Sequence, residues 1–285
     1  MKKFCFAMGL LAAAPLMAQV LHERPIITDA GLGPGGADAS RICLGGNIFG
    51  HSILGTIPFR VADKFTVPAS DTAGWDVNEV CIYTYQTGAT AASITGATLN
   101  IIEGGADPSL GTSVWGDDST NVMSSVAMTN IYRTNGIPGD TLRRLQLVKI
   151  TISPALHLDA GKDYWLSFNM TGTVASGPWH PPSTDPTIAC LPGNAMQWNA
   201  GWLPIHSDNL VPFATPQCAS TFVVKGEKTS ACYPDCEGDG DLDVFDYLCF
   251  LGAYANQDPY ADCEGDGDWD VFDFLCFQGK YSSGC

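Results

Sequence analysis

Basic side chains are scarce in this chain. Lysine and arginine number 14 against 30 aspartates and glutamates over 285 residues, a formal net charge of −16. No basic stripe is visible, so the electrostatic footprint of a nucleic-acid binder is missing. Glutamate is rare before residue 232: Glu23, Glu79, Glu103 and Glu227 are the whole supply. A glycosidase needs two facing carboxylates, and no particular pair stands out. Neither a Gly-x-Ser-x-Gly elbow nor a His-Glu-x-x-His pattern occurs, which removes the motif grounds for a serine hydrolase or a zinc protease. His51, His157, His180 and His206 are scattered and read as surface or turn residues. Long apolar runs are lacking too. The run Phe4 to Leu16 follows Lys2 and Lys3 and is too short to cross a bilayer. With Ala18 as the last residue removed, residues 1–18 read as a secretory signal peptide. No second apolar stretch follows, so no membrane span is expected, and the mature protein is expected to be soluble, secreted or held at the cell surface.

Cysteine, by contrast, is plentiful, with 11 in the chain. Export places them in an oxidising compartment where disulfides persist. Cys5 leaves with the signal. Cys43, Cys81, Cys190 and Cys218 lie in the larger part, and Cys232, Cys236, Cys249, Cys263, Cys276 and Cys285 in the tail. Both counts are even, so each part can close its own bridges. Six cysteines allow fifteen connectivities. An internal repeat favours Cys236–Cys249 and Cys263–Cys276 within copies, with Cys232–Cys285 clasping the ends; the crossed set Cys236–Cys276 with Cys249–Cys263 stays open.

That repeat is the pattern Asp-Cys-Glu-Gly-Asp-Gly-Asp-x-Asp-Val-Phe-Asp, present at Asp235–Asp246 and again at Asp262–Asp273. Twelve-residue acidic loops with glycine at position 6 suit calcium, which takes six to eight oxygens from positions 1, 3, 5, 7, 9 and 12. In the first copy these are Asp235, Glu237, Asp239, Asp241 (by its carbonyl), Asp243 and Asp246; in the second, Asp262, Glu264, Asp266, Asp268, Asp270 and Asp273. Gly240 and Gly267 hold position 6, where the chain turns sharply. Without sulfur or imidazole in the set, zinc and copper are disfavoured. Position 3 is Glu and position 12 is Asp, shorter than the bidentate Glu of a regulatory EF-hand. The tail carries 13 acids against Lys280 alone, so two bound ions and folding are expected to be one event. A module this small also needs staples or metal to make up for a thin core.

A calcium loop followed by one helix, duplicated, with no helix before each loop, resembles the dockerin module. Asp-Cys-Glu-Gly-Asp-Gly-Asp…Phe-Asp-Phe-Leu-Cys-Phe-Gln and the final Gly284-Cys285 are similar to the GC-type dockerins at the ends of secreted bacterial proteins. The resemblance covers residues 232–285. It implies two calcium ions, an EF-hand-like loop, and docking onto a cohesin-like receptor or another surface assembly. Loop positions 10 and 11, often a Ser-Thr pair in cellulosomal dockerins, are Val244-Phe245 and Val271-Phe272 here.

Residues 19–225 read as one mostly β domain, joined to the tail by a linker over 226–231. Alternating stretches at 57–67, 80–85, 97–102, 145–152, 164–170 and 222–224, punctuated by Gly, Pro, Asn and Asp, predict a β-sandwich of jelly-roll type, with weak likeness to carbohydrate-binding sandwiches. Residues 176–218 hold 8 of the 18 prolines together with Trp179, Trp198, Trp202 and Phe213. Either these tryptophans present flat faces to a polysaccharide, or the segment packs them on the sandwich edge behind a Cys190–Cys218 bridge. The function expected is non-catalytic, calcium-dependent docking by the tail with a sandwich that binds glycan; the alternative is a polysaccharide-degrading enzyme carried by a dockerin.

Overall fold

The structure, a computed structural model, describes residues 18–42, 48–136, 140–185, 190–206, 216–229, 232–237 and 241–284. The expected signal peptide (residues 1–17 of it), Cys43, Phe213, Asp239, Gly240 and Cys285 lie outside the described residues. The chain divides into two compact units, Met1–Lys228 and Thr229–Cys285.

The first unit is mostly β. Its strands are β1 (Gln19–Arg24), β2 (Asp38–Arg41), β3 (His51–Ser52), β4 (Arg60–Thr66), β5 (Trp75–Thr84), β6 (Ile94–Glu103), β7 (Thr112–Asp117) and β8 (Ser125–Thr134). Then follow β9 (Arg144–Leu158), β10 (Asp163–Gly172), β11 (Trp179–His180), β12 (Pro182–Ser183), β13 (Met196–Trp198), β14 (Trp202–Pro204), β15 (Ala219–Ser220) and β16 (Phe222–Lys228). One sheet is ordered β1-β16-β5-β9-β8-β2 and the other β14-β13-β4-β10-β6-β7, with β11-β3 and β12-β15 as separate pairs.

The two-residue period of a strand sorts each side chain to one face. Val61 and Phe65 of β4, Leu99 and Ile101 of β6, and Leu166 and Phe168 of β10 join one buried cluster with Val80 and Ile82 of β5, Val148 and Ile150 of β9, and Phe222 and Val224 of β16. The two six-stranded sheets therefore share one apolar core. On the far face of the second sheet, Ala62, Ile102 and Trp165 collect Met196 and Trp202 in a smaller cluster. Asp63 interrupts the inner row of β4 and is fully buried. A buried carboxylate needs partners, and it accepts N–H bonds from Lys64 (2.8 Å), Asn194 (3.2 Å) and Ser220 (2.8 Å). Those bonds pin the proline-rich segment to β4.

Three expectations change. Residues 226–228, read as linker, continue β16: Gly226, Glu227 and Lys228 pair with Val77, Asp76 and Trp75. Cys81 keeps a free thiol, because alternation along β5 turns it away from the shared core; its Sγ lies 3.2 Å from Glu79 Oε1. Burial, then that carboxylate, push the thiol up to about 11. His180 is neither surface nor turn but fully buried in β11, where pairing with β3 closes it over.

The second unit holds two helices, α1 (Val244–Ala255) and α2 (Val271–Ser283). Asp243 and Asp270 cap them, and Asp246 and Asp273 complete capping boxes from the third helical position. The loop's position-9 and position-12 acids thus start each helix, which is why an acidic loop leads straight into an apolar one.

Candidate functional site

The tail is built on an internal two-fold. Phe250 and Phe277, both fully buried and 27 residues apart, stack at 3.9 Å between centroids. Tyr233 and Tyr260, also 27 apart, stack at 5.0 Å. Each donates its hydroxyl to the other's backbone carbonyl, Tyr233 Oη to Tyr260 O at 2.7 Å and Tyr260 Oη to Tyr233 O. Equivalent residues meeting each other is the mark of an isologous contact. The repeat therefore reaches back to Tyr233, upstream of the loop motif. Bridges Cys236–Cys249 and Cys263–Cys276 each span 13 residues and tie loop position 2 to the helix that follows. Cys232 is also disulfide-bonded, and Cys285, its expected partner, lies outside the described residues.

The second loop is described throughout. Gly265 and Gly267 take φ of +75° and +87°, a backbone that side-chain-bearing residues adopt only under strain. The turn aims N–H groups at position 1: Asp262 Oδ1 accepts from Gly265 (2.8 Å) and Asp266 (3.1 Å), and Oδ2 from Gly267 (3.0 Å). Position 12 closes the other end. Asp273 is fully buried; Oδ1 accepts from Cys263 (2.8 Å) and Oδ2 from Asp270 (2.9 Å). In the first loop, Asp246 is equally buried and accepts from Asp243 at 2.8 Å. Desolvation, and then the fields of Asp266, Asp270, Asp273 and Asp262, raise the Glu264 carboxyl above its ordinary value. The all-oxygen donor set and the loop path fit a hard cation. Among the described residues, however, no three Asp, Glu, His or Cys groups converge on a common point, since the carboxylates face their own loop amides.

The outer faces of the helices are apolar. Val244, Phe245 and Leu248 of α1 are 62%, 57% and 58% exposed, and Val271, Phe272 and Leu275 of α2 are 60%, 58% and 52% exposed. These six side chains are the same three positions of each copy, displayed twice.

In the first unit, Cys190 and Cys218 form a bridge. Trp198 and Trp202 face each other edge-on at 5.6 Å across the β13–β14 hairpin, with the Arg60 guanidinium 5.2 and 5.7 Å from their rings. Both are half-buried on the edge of the second sheet. Trp179 stands elsewhere, in a groove of about 1120 Å³ lined also by Phe49, Tyr85, Arg143, Gln197 and Asn199.

One pair looks catalytic by distance: Ser220 Oγ lies 2.6 Å from His180 Nε2. Its surroundings say otherwise. Nε2 also receives the Thr221 N–H at 3.1 Å, and Nδ1 meets the Tyr83 carbonyl at 2.9 Å. Neither Ser220 nor His180 touches solvent, so no substrate reaches them. Burial holds His180 neutral, with its pKa lowered to about 3. An unfolded histidine titrates near 6.5, so the unfolded state takes up the proton first as pH falls. Stability contributed by neutral His180 is therefore full above about pH 6.5 and is lost on acidification toward 3. Between pH 7 and pH 5 this one residue should remove about 2 kcal/mol. Urea unfolding of the wild type and of His180→Gln at both pH values measures it; equal pH slopes would refute the assignment.

Comparison with family models, curated proteins and solved structures finds no match to this chain.

Proposed function

We propose that this is a secreted, non-catalytic protein whose C-terminal unit is a dockerin-like, calcium-organised docking module and whose β unit is a jelly-roll sandwich that binds glycan. The observation that carries the docking reading is the doubled apolar face, Val244-Phe245-Leu248 and Val271-Phe272-Leu275. Side chains of this size left in water on two short helices mark an interaction surface, and loop positions 10 and 11 fall within it. A cohesin-like or other surface receptor is the partner class. Within the tail, Asp235, Glu237, Asp239, Asp241, Asp243 and Asp246, and their counterparts Asp262 to Asp273, would hold calcium. The ion supplies charge neutralisation, bringing together loop segments whose acids repel one another.

The jelly-roll reading rests on strand order. Setting aside the outer strands β8 and β2 of one sheet and β13 and β14 of the other, the remaining eight are arranged as β1-β16-β5-β9 and β4-β10-β6-β7, the interleaving of two Greek keys rolled together. For the enzyme alternative, none of the described residues lining the groove is Asp or Glu.

Docking is tested with the double variant Phe245→Asp/Phe272→Asp in the full chain. Pull-down from envelope extract of the source cells should recover a receptor with wild type in calcium, and lose it with the variant or with chelator. Because the two faces are equivalent, each single variant should keep most of the capture. Undiminished capture by the double variant would refute the docking face.

A further inference from the structure

The groove in the β unit has the chemistry of a specific site, and its features go beyond a crevice between loops. It gathers residues far apart in sequence: Phe49, Tyr85, Arg143, Trp179, Gln197 and Asn199. Three observations define what would fit it. Tyr85 is 2% exposed, lines the groove, and makes no side-chain hydrogen bond among the described residues, although buried phenol hydroxyls are nearly always paired. Gly50 leaves room for that hydroxyl: a Cβ there would lie 3.0 Å from Tyr85 Oη and 3.0 Å from the His180 carbonyl. Second, Arg143, the one lysine or arginine among the described residues lining the groove, is already balanced. Arg143 Nη1 binds Asp140 at 2.8 Å while its guanidinium lies 3.8 Å from the Phe49 ring centroid. Its remaining N–H groups are left as directional donors without net charge to satisfy. Third, Trp179 is half-buried, its Nε1 held by Ser176 Oγ at 3.3 Å, which fixes the indole as a flat wall.

An aromatic plane, an unused hydroxyl, a charge-neutralised guanidinium fork and an amide at Asn199 describe a ligand with apolar faces and a hydroxyl rim. We propose that this groove binds an uncharged saccharide, with a sugar ring against Trp179 and sugar hydroxyls on Tyr85, Arg143 and Asn199. The proposal rests on the glycan reading of the β unit and places it here, away from the Trp198–Trp202 pair. An anionic sugar is disfavoured because Asp140 already occupies Arg143. Hydrolysis is not expected, because no described lining residue is a carboxylate that could act as acid or nucleophile.

The test is calorimetric titration of the full chain with cellohexaose, xylohexaose, mannohexaose and laminarihexaose, and with trigalacturonate as the charged control. At least one neutral oligosaccharide should bind. Tyr85→Phe should weaken it about tenfold by leaving a sugar hydroxyl unpaired, and Trp179→Ala by at least about tenfold. Trp202→Ala should leave affinity unchanged, and near-ultraviolet circular dichroism checks that each variant is folded. Neutral-sugar binding insensitive to both groove variants would overturn the groove and spare the glycan reading. Preference for trigalacturonate would overturn the uncharged class. No binding to any sugar would overturn the glycan reading itself, and release of reducing ends would overturn the non-catalytic one.

Discussion

Replacing Phe250 by Ala is expected to unfold the tail while leaving the β unit intact. Phe250 is fully enclosed and stacks on Phe277 at 3.9 Å, so truncation empties the centre of the smaller core. A buried Phe→Ala change costs about 3–5 kcal/mol. A core this small rarely supplies more than about 3–5 kcal/mol in total. The two within-repeat disulfides close loops of 13 residues, and each adds roughly 3 kcal/mol at most by constraining the unfolded chain. They keep the cysteines together without restoring the packing. Phe277→Ala should match Phe250→Ala, since the two-fold makes the positions equivalent. The double variant should add little, because contacting residues share their interaction energy. Hydrogen exchange of the oxidised full chain reads this directly: amides of 244–255 and 271–283 should lose protection while those of β5, β9 and β10 keep theirs. Persistent protection in both helices would mean that the aromatic stack is not what holds the unit together.

Removal of calcium is the other large effect. Twelve of the tail's thirteen acids, set against one lysine, crowd the two loops, and two divalent ions would cancel up to four of those charges. In chelator, position-1 and position-12 carboxylates keep their amide bonds, but the other acids repel without a counter-ion. The expected result is two ions bound per chain by calorimetry. Saturation at 100 times Kd should stabilise the tail by about 2.7 kcal/mol for each site. Asp239→Ala/Asp266→Ala should abolish both the heat of binding and the stabilisation. If chelator leaves helix protection and unfolding midpoint unchanged, the loops are structural caps and the metal reading is lost. Protons compete for the same carboxylates, and desolvation, then the fields of the neighbouring acids, raise Glu264 toward taking one. Calcium affinity should therefore fall as pH drops through the carboxylate range, more steeply than for an isolated aspartate.

These outcomes separate what each level of description supplies. The 27-residue repeat and the two helices after acidic loops were legible in sequence, since glycine permits the turn and aspartate caps the helix. The repeat favoured pairing Cys236 with Cys249 and Cys263 with Cys276, and the fold chose that set over the crossed one. Six core strands of the larger unit (β4, β5, β6, β9, β10 and β16) were legible too, since alternation is itself the record of one buried face; β1, β7 and β8 were not. What tertiary structure decided is which side of each apolar element faces in. Phe245 and Phe250 look equally hydrophobic in the chain, yet one is exposed and the other buried, because only the two-fold fixes the inner face. Cys81 seemed available for a bridge, yet among the described residues it stays a free thiol on the face of β5 turned from the shared core, and His180 seemed a turn residue until β3 paired over it. The groove was invisible for the most basic reason. Phe49, Tyr85, Arg143 and Trp179 are separated by tens of residues, and no local pattern encodes their meeting; only the packing of sheet ends and loops brings a buried hydroxyl, a neutralised cation and an indole to one place.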